Sequence, residues 1–227
     1  MGKRPVLTGD LDSIVSQYNG LGAVLGQRWG PPSEAVQAPT MQFIWAYENA
    51  SRLNGNPAAY FAIGGSAGGG LALSVTDKLI RNGKRNLIQG TVALNPITSH
   101  MDNPPAKYKH IYKSYTENAV NVPVVDRHCM DVSFESSGAQ PTDSTVFVSI
   151  SPHLASYPPV YIATCEKDIL CDDGVVLEHM LKDAGVKVKR DHYLGFPHYF
   201  FVFPSIKTGR TFLTNVVESI KFVLGSQ

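Results

Sequence analysis

The chain has 227 residues, 43% of them apolar and 17% charged, with a formal net charge of +1. That length suits one α/β domain with a large core rather than two full domains. A near-neutral charge argues against nucleic acid or an acidic membrane surface as the main partner, and no apolar run approaches the ~18 residues that a membrane span needs.

Met1-Gly2-Lys3-Arg4-Pro5 leads into only a brief apolar patch, so no secretory signal is read there. Three cysteines, Cys129, Cys165 and Cys171, show no metal-type pairing, and reduced thiols in the cytosol are expected. No cofactor-binding pattern is read either.

Residues 1–32 carry little signal. Leu21-Gly22-Ala23-Val24-Leu25 could form a short strand, closed by Gly30-Pro31-Pro32. Ser33 to Asn54 reads as a helix disturbed by Pro39, with Phe43, Ile44 and Tyr47 on one face. Tyr60 to Ile63 then reads as a short buried strand. It runs into Gly64-Gly65-Ser66-Ala67-Gly68-Gly69-Gly70, after which a helix is expected from Ala67 to about Arg81.

Strand, tight turn and helix with Gly64-x-Ser66-x-Gly68 at the bend is the pattern that lifts a serine nucleophile clear of a sheet. Small flanking residues supply the clearance, and the helix start aims free N–H groups at chemistry on Ser66. Such a turn could instead cradle a dinucleotide pyrophosphate. No acid follows the next apolar run, Leu87 to Leu94, where a ribose would need one; Asn95-Pro96 stands there. A phosphate loop would require Gly-Lys-Ser/Thr, and Gly70 precedes Leu71. A packing turn with an idle serine is the remaining alternative.

Residues 97–156 break the alternation with aromatics, scattered prolines and no clear strand. They are expected to form a lid over a pocket, the alternative being a polar surface excursion. Regularity returns with a strand over Pro159 to Thr164, a helix over Asp172 to Ala184 and an alternating strand over Val186 to Tyr193. A Gly195-Phe196-Pro197-His198 loop and a closing helix over Thr211 to Leu224 follow. Strands alternating with helices predict a mostly parallel sheet covered on both faces.

Ser66, Asp168 and His198 each fall just past a predicted strand, where catalytic groups of such sheets gather. Their types fit one chemistry. A hydroxyl is a poor nucleophile until an imidazole takes its proton, and a carboxylate must hold that imidazole in the right tautomer. Asp172, Asp173 and Glu166 compete with Asp168, the last two suiting a cap or flank of the next helix better. His192 competes with His198 but sits inside an alternating strand.

Three blocks, Gly64 to Gly69, Cys165 to Asp172 and Tyr193 to His198, resemble those of the hormone-sensitive-lipase-like α/β-hydrolases, above all fungal carboxylesterases of secondary metabolism. Gly65, Ile169 and Cys171 depart from the family's usual Asp, Pro and Arg. The resemblance implies an α/β-hydrolase fold over 1–227 with 97–156 as cap, and hydrolysis of a small, fairly apolar ester or lactone. Ser66 would be nucleophile, His198 base then acid, Asp168 its orienter, and the N–H groups of Ala67 and Gly68 the oxyanion donors. The family's His-Gly-Gly-Gly loop does not occur in these 227 residues. Val6 to Ser13 resembles the stretch just after it, so the early strands are expected to be missing and activity to be weak. An exposed strand edge would then invite association, a homodimer being one such form, or poor stability. A cyclase or lyase on the same fold, or a catalytically dead binding relative, are the alternatives to hydrolysis.

Overall fold

The computed structural model describes residues 32–203, 206 and 208–225. The expected short strand at Leu21 to Leu25, and the question of missing early strands, lie outside the described residues.

Helix α1 spans Pro32–Glu48. It ends six residues before the predicted stop, and turns occupy the rest up to Asn54. Pro39 does not break it. The Thr40 hydroxyl, one residue on, donates to the Val36 carbonyl at 2.7 Å. Strand β1 is Phe61–Gly65 and α2 is Ala67–Arg81, the span that the apolar periodicity predicts. A single 3₁₀ turn, Arg85–Leu87, replaces the first part of the expected second strand, leaving β2 as Gly90–Leu94. The 97–156 segment holds two short helices, α3 (Ser114–Glu117) and α4 (Arg127–Ser137), among turns. Then come β3 (Val160–Lys167), α5 (Cys171–Asp183), β4 (Val188–Pro197) and α6 (Thr208–Leu224).

The four strands pair in the order β1-β2-β3-β4, all parallel. Their side chains split into two apolar layers. Ala93, Val160 and Ile162 pack with Leu73 of α2 and with Leu177 and Leu181 of α5. Val92, Leu94, Tyr161 and Ala163 pack with Phe200 and with Phe212 and Val223 of α6. Burial on both faces explains why β2 and β3 read as continuous apolar runs. Among the described strands β1 is an edge, and its Ile63 is exposed.

Because all strands are parallel, their carboxyl ends lie on one side. Strand β4 runs four residues further than its alternation predicts. Tyr193 pairs with Cys165 and Pro197 with Lys167, so β4 places two extra residues opposite β3. Gly195 absorbs this bulge at φ +76°, a conformation that a side chain would strain. The predicted loop is therefore the end of a strand, and its curl delivers His198.

Candidate active site

The nucleophile candidate is built by the β1–α2 turn. Ser66 stands at φ 53°, ψ −125°, a strained region that costs about 1–3 kcal/mol. A Cβ on Gly64 would lie 1.9 Å from the Gly68 carbonyl oxygen, so that corner closes only on glycine. The turn is tied to its neighbour strand: Ser66 N–H donates to the Leu94 carbonyl at 2.8 Å. The Ser66 carbonyl accepts from Gly69 and Gly70 at 3.0 and 3.1 Å. Of the four N–H groups that open a helix without internal partners, Ala67 and Gly68 remain for a ligand. Ser66 is half-buried and Ala67 exposed, so the turn faces solvent.

Asp168 follows β3 directly and is fully buried. One carboxylate oxygen, Oδ1, accepts the Leu170 N–H at 2.9 Å. The other, Oδ2, meets His198 Nδ1 at 2.7 Å and accepts Asn95 Nδ2 at 2.9 Å. His198 is the first residue past β4 and only 1% exposed, with the Tyr199 ring standing edge-on at 4.7 Å. With Nδ1 against the acid, Nε2 is the nitrogen left to exchange a proton. The Ser66 hydroxyl makes no hydrogen bond among the described residues. The structure thus joins Asp168 to His198 directly, and Ser66 to them through the Leu94–Asn95 corner.

The rival acids have other work. Glu166 accepts the Gly195 N–H at 2.7 Å and pairs with Lys167 at 3.0 Å; these bonds, Lys167 foremost, hold its carboxyl below the usual range. Asp172 accepts the N–H groups of Lys113 and Ser114 at 2.6 and 2.7 Å. Asp173 does not merely flank its helix. It is fully buried, accepting Thr98 and Ser99 N–H at 2.7 and 2.9 Å and the Tyr112 hydroxyl at 3.0 Å. Burial pushes its carboxyl up to about 7. His192 is exposed and bonded to the Thr164 hydroxyl at 3.0 Å. Burial pushes the Cys165 and Cys171 thiols up to about 12, so both are protonated at neutral pH and poor nucleophiles. Among the described residues no cluster of His, Cys, Asp or Glu could hold a metal ion.

Residues 33–202 match the α/β-hydrolase fold family. The chain belongs to that family. It is 39% identical over 184 residues to a versiconal hemiacetal acetate esterase of Dothistroma septosporum, covering 80% of this chain and 56% of that protein. With the versiconal hemiacetal acetate esterase of Aspergillus parasiticus it shares 36% identity, over 79% of this chain and 56% of that one. This α/β-hydrolase chain therefore spans a little over half the length of these relatives. It also superposes on a solved vibralactone cyclase with a TM-score of 0.77 at 26% identity, covering 84% of this chain and 57% of the other. Among the described residues of this hydrolase-fold chain no helix is long and apolar enough to cross a membrane.

Sequence reasoning missed two side chains that hold the hydrolase-fold site together. Asn95 reaches Asp168, and its only signal was an Asn-Pro step after a buried strand. Asn118, within 97–156, donates to the carbonyls of Glu166 and Asp168; nothing in its local sequence marks it.

Proposed function

We propose that this chain is a serine carboxylic-ester hydrolase acting on a small, fairly apolar ester or lactone in fungal secondary metabolism. The observation that carries the reading is the buried His198–Asp168 pair at the strand ends, linked through the Leu94–Asn95 corner to a strained Ser66 turn. The printed activity of the two fungal relatives supports it.

In this reading the Ser66 hydroxyl attacks the ester carbonyl carbon while His198 Nε2 takes its proton. Asp168 stabilises the imidazolium, and the N–H groups of Ala67 and Gly68 receive the oxyanion. Collapse expels the alcohol, which leaves with the proton from His198. Water, deprotonated by the same nitrogen, then releases the acid and restores Ser66.

Residues 97–156 serve as the cap that selects the acyl or alcohol group. Supporting this, Tyr115, Phe134 and Phe147 cluster with Ile169 and Leu170, directly after the triad acid. The groove lined by His100, Phe134 and Asp131 contains none of Ser66, Asp168 and His198. Cyclisation by the same triad is a second reading, favoured by the cyclase neighbour; the esterase relatives, closer in sequence, weigh against it. Homodimer pairing would use the β1 edge.

The test is labelling by a fluorophosphonate probe, which needs an activated serine. Labelling lost in Ser66→Ala and in His198→Ala, and cut about 10⁴-fold in rate in Asp168→Asn, is the expected result. Labelling or p-nitrophenyl acetate turnover that persists in Ser66→Ala would remove the assignment.

A further inference from the structure

Asn95 occupies a position that its local geometry does not favour. Its backbone stands at φ +48°, and its side chain is 99% buried with Oδ1 lacking any hydrogen-bond partner. A left-handed non-glycine residue and an orphaned buried acceptor each cost stability. What the residue gains is on the other side of its amide. Asn95 Nδ2 donates at 2.9 Å to Asp168 Oδ2, the oxygen that faces His198 Nδ1 at 2.7 Å.

The same corner grips the nucleophile turn. Leu94, just before Asn95, accepts the Ser66 N–H, and Ile97, two residues on, donates to the Ser66 carbonyl at 3.4 Å. Pro96 packs so closely that a Cβ on Gly69 would lie 3.1 Å from it. Asn95 N–H itself donates to Ala163 of β3 at 2.8 Å. One short segment therefore touches the serine's backbone at both ends and the acid's carboxylate between them.

We infer that Asn95 is a positioning residue for the reaction: its amide fixes the rotation of the Asp168 carboxylate, and so the aim of the His198 ring, relative to Ser66. A carboxylate with a single donor on Oδ1, from Leu170, could still turn about its Cβ–Cγ bond. A second donor on Oδ2, out of line with the imidazole, removes that freedom and leaves one lone-pair direction for His198. The inference rests on reading Ser66, Asp168 and His198 as a triad.

Two variants test it. Asn95→Gly keeps the positive φ without strain and deletes the amide. Asn95→Asp keeps size and tolerates the same backbone, but donates to Asp168 only while protonated. Of the other titratable groups close by, Cys165 and Tyr115 are held neutral by burial; Asp173, bonded to Thr98 and Ser99 on the same segment and titrating near 7, is common to variant and unchanged chain and cancels in their comparison. In Asn95→Gly the rate of fluorophosphonate labelling, and kcat for p-nitrophenyl acetate, are expected to fall about 10- to 100-fold. KM and the thermal midpoint should stay near those of the unchanged chain. In Asn95→Asp, labelling is expected to decline as pH rises and the new carboxyl ionises against Asp168, adding an alkaline loss that the unchanged chain lacks. The low-field proton resonance of the His198–Asp168 bond, read without turnover, should move or broaden in both.

Full labelling rates, an unaltered pH profile and an unmoved proton in both variants would overturn the inference. So would a loss confined to the thermal midpoint, which marks a packing role only. A Ser66→Ala control run alongside separates the two layers: labelling that survives it overturns the triad reading itself. Labelling lost in Ser66→Ala but untouched in the Asn95 variants overturns only the role given to Asn95.

Discussion

The side-chain amide of Asn118 donates to the carbonyls of Glu166 and Asp168, both at 2.9 Å, and so ties the 97–156 segment to the backbone of the acid that faces His198. Ser114 makes a parallel tie to the Ile169 carbonyl at 2.7 Å. The inserted segment is therefore anchored on the loop that aims the acid.

Asn118→Leu keeps roughly the same volume and removes both bonds, leaving buried carbonyls short of a donor. The expected cost is about 1–3 kcal/mol of stability, with a further loss of labelling rate because the Asp168 loop loses its brace. Urea midpoints and probe kinetics measure the two effects. An unchanged midpoint would mean that the segment leans on the loop without holding it.

Gly64→Ala puts a methyl group into the Gly68 carbonyl. Neither backbone can yield without opening the turn that carries Ser66. A destabilisation of about 1–3 kcal/mol with near-complete loss of labelling is expected, whereas Gly68→Ala, whose Cβ meets open space, should retain the fold. Comparing thermal midpoints of the two variants checks this.

Asp173 sets a pH dependence of stability. Its folded carboxyl titrates near 7 because of burial, against about 3.9 when unfolded. Between those values the native state binds more protons than the unfolded one, so stability falls as pH rises from about 4 to about 7 and is level above. Asn at this position can still accept from Thr98 and Ser99. Asp173→Asn is therefore expected to flatten that slope in denaturant midpoints taken across the range. An identical slope in both chains would count against it.

Under the proposed mechanism, oxyanion donors set the rate. At the described turn only Ala67 and Gly68 offer N–H groups, and one missing donor costs about 10²–10³ in rate. Expressed as these 227 residues, the chain is expected to be a weak esterase. Adding an upstream segment that bears a His-Gly-Gly-Gly loop should raise kcat at least about 100-fold. Turnover that matches full-length relatives without any addition would refute this.

Much of the molecule was readable from residue order. The Gly64-x-Ser66-x-Gly68 corner announced itself because a strand-to-helix turn this tight admits almost no other residues. Helix α2 was legible because small and apolar residues continue directly from the glycine turn, a local signal. Strand ends were harder. The sequence of β4 alternates only to Tyr193, and its continuation to Pro197 depends on pairing with Lys167 across a bulge, which local pattern does not encode.

Sequence alone determined the family, the parallel α/β order and the residue types needed for hydroxyl activation, because each is written in short, contiguous stretches. Tertiary structure decided which acid faces His198. Asp168, Asp172 and Asp173 lie within six positions of one another, and only packing directs the first to the imidazole, the second to Lys113 and Ser114, and the third into the Thr98 loop. It also brought in Asn95 and Asn118, 73 and 50 positions from Asp168 in the chain. A buried carboxylate must find its donors wherever the fold brings them, and distance along the chain carries no trace of that.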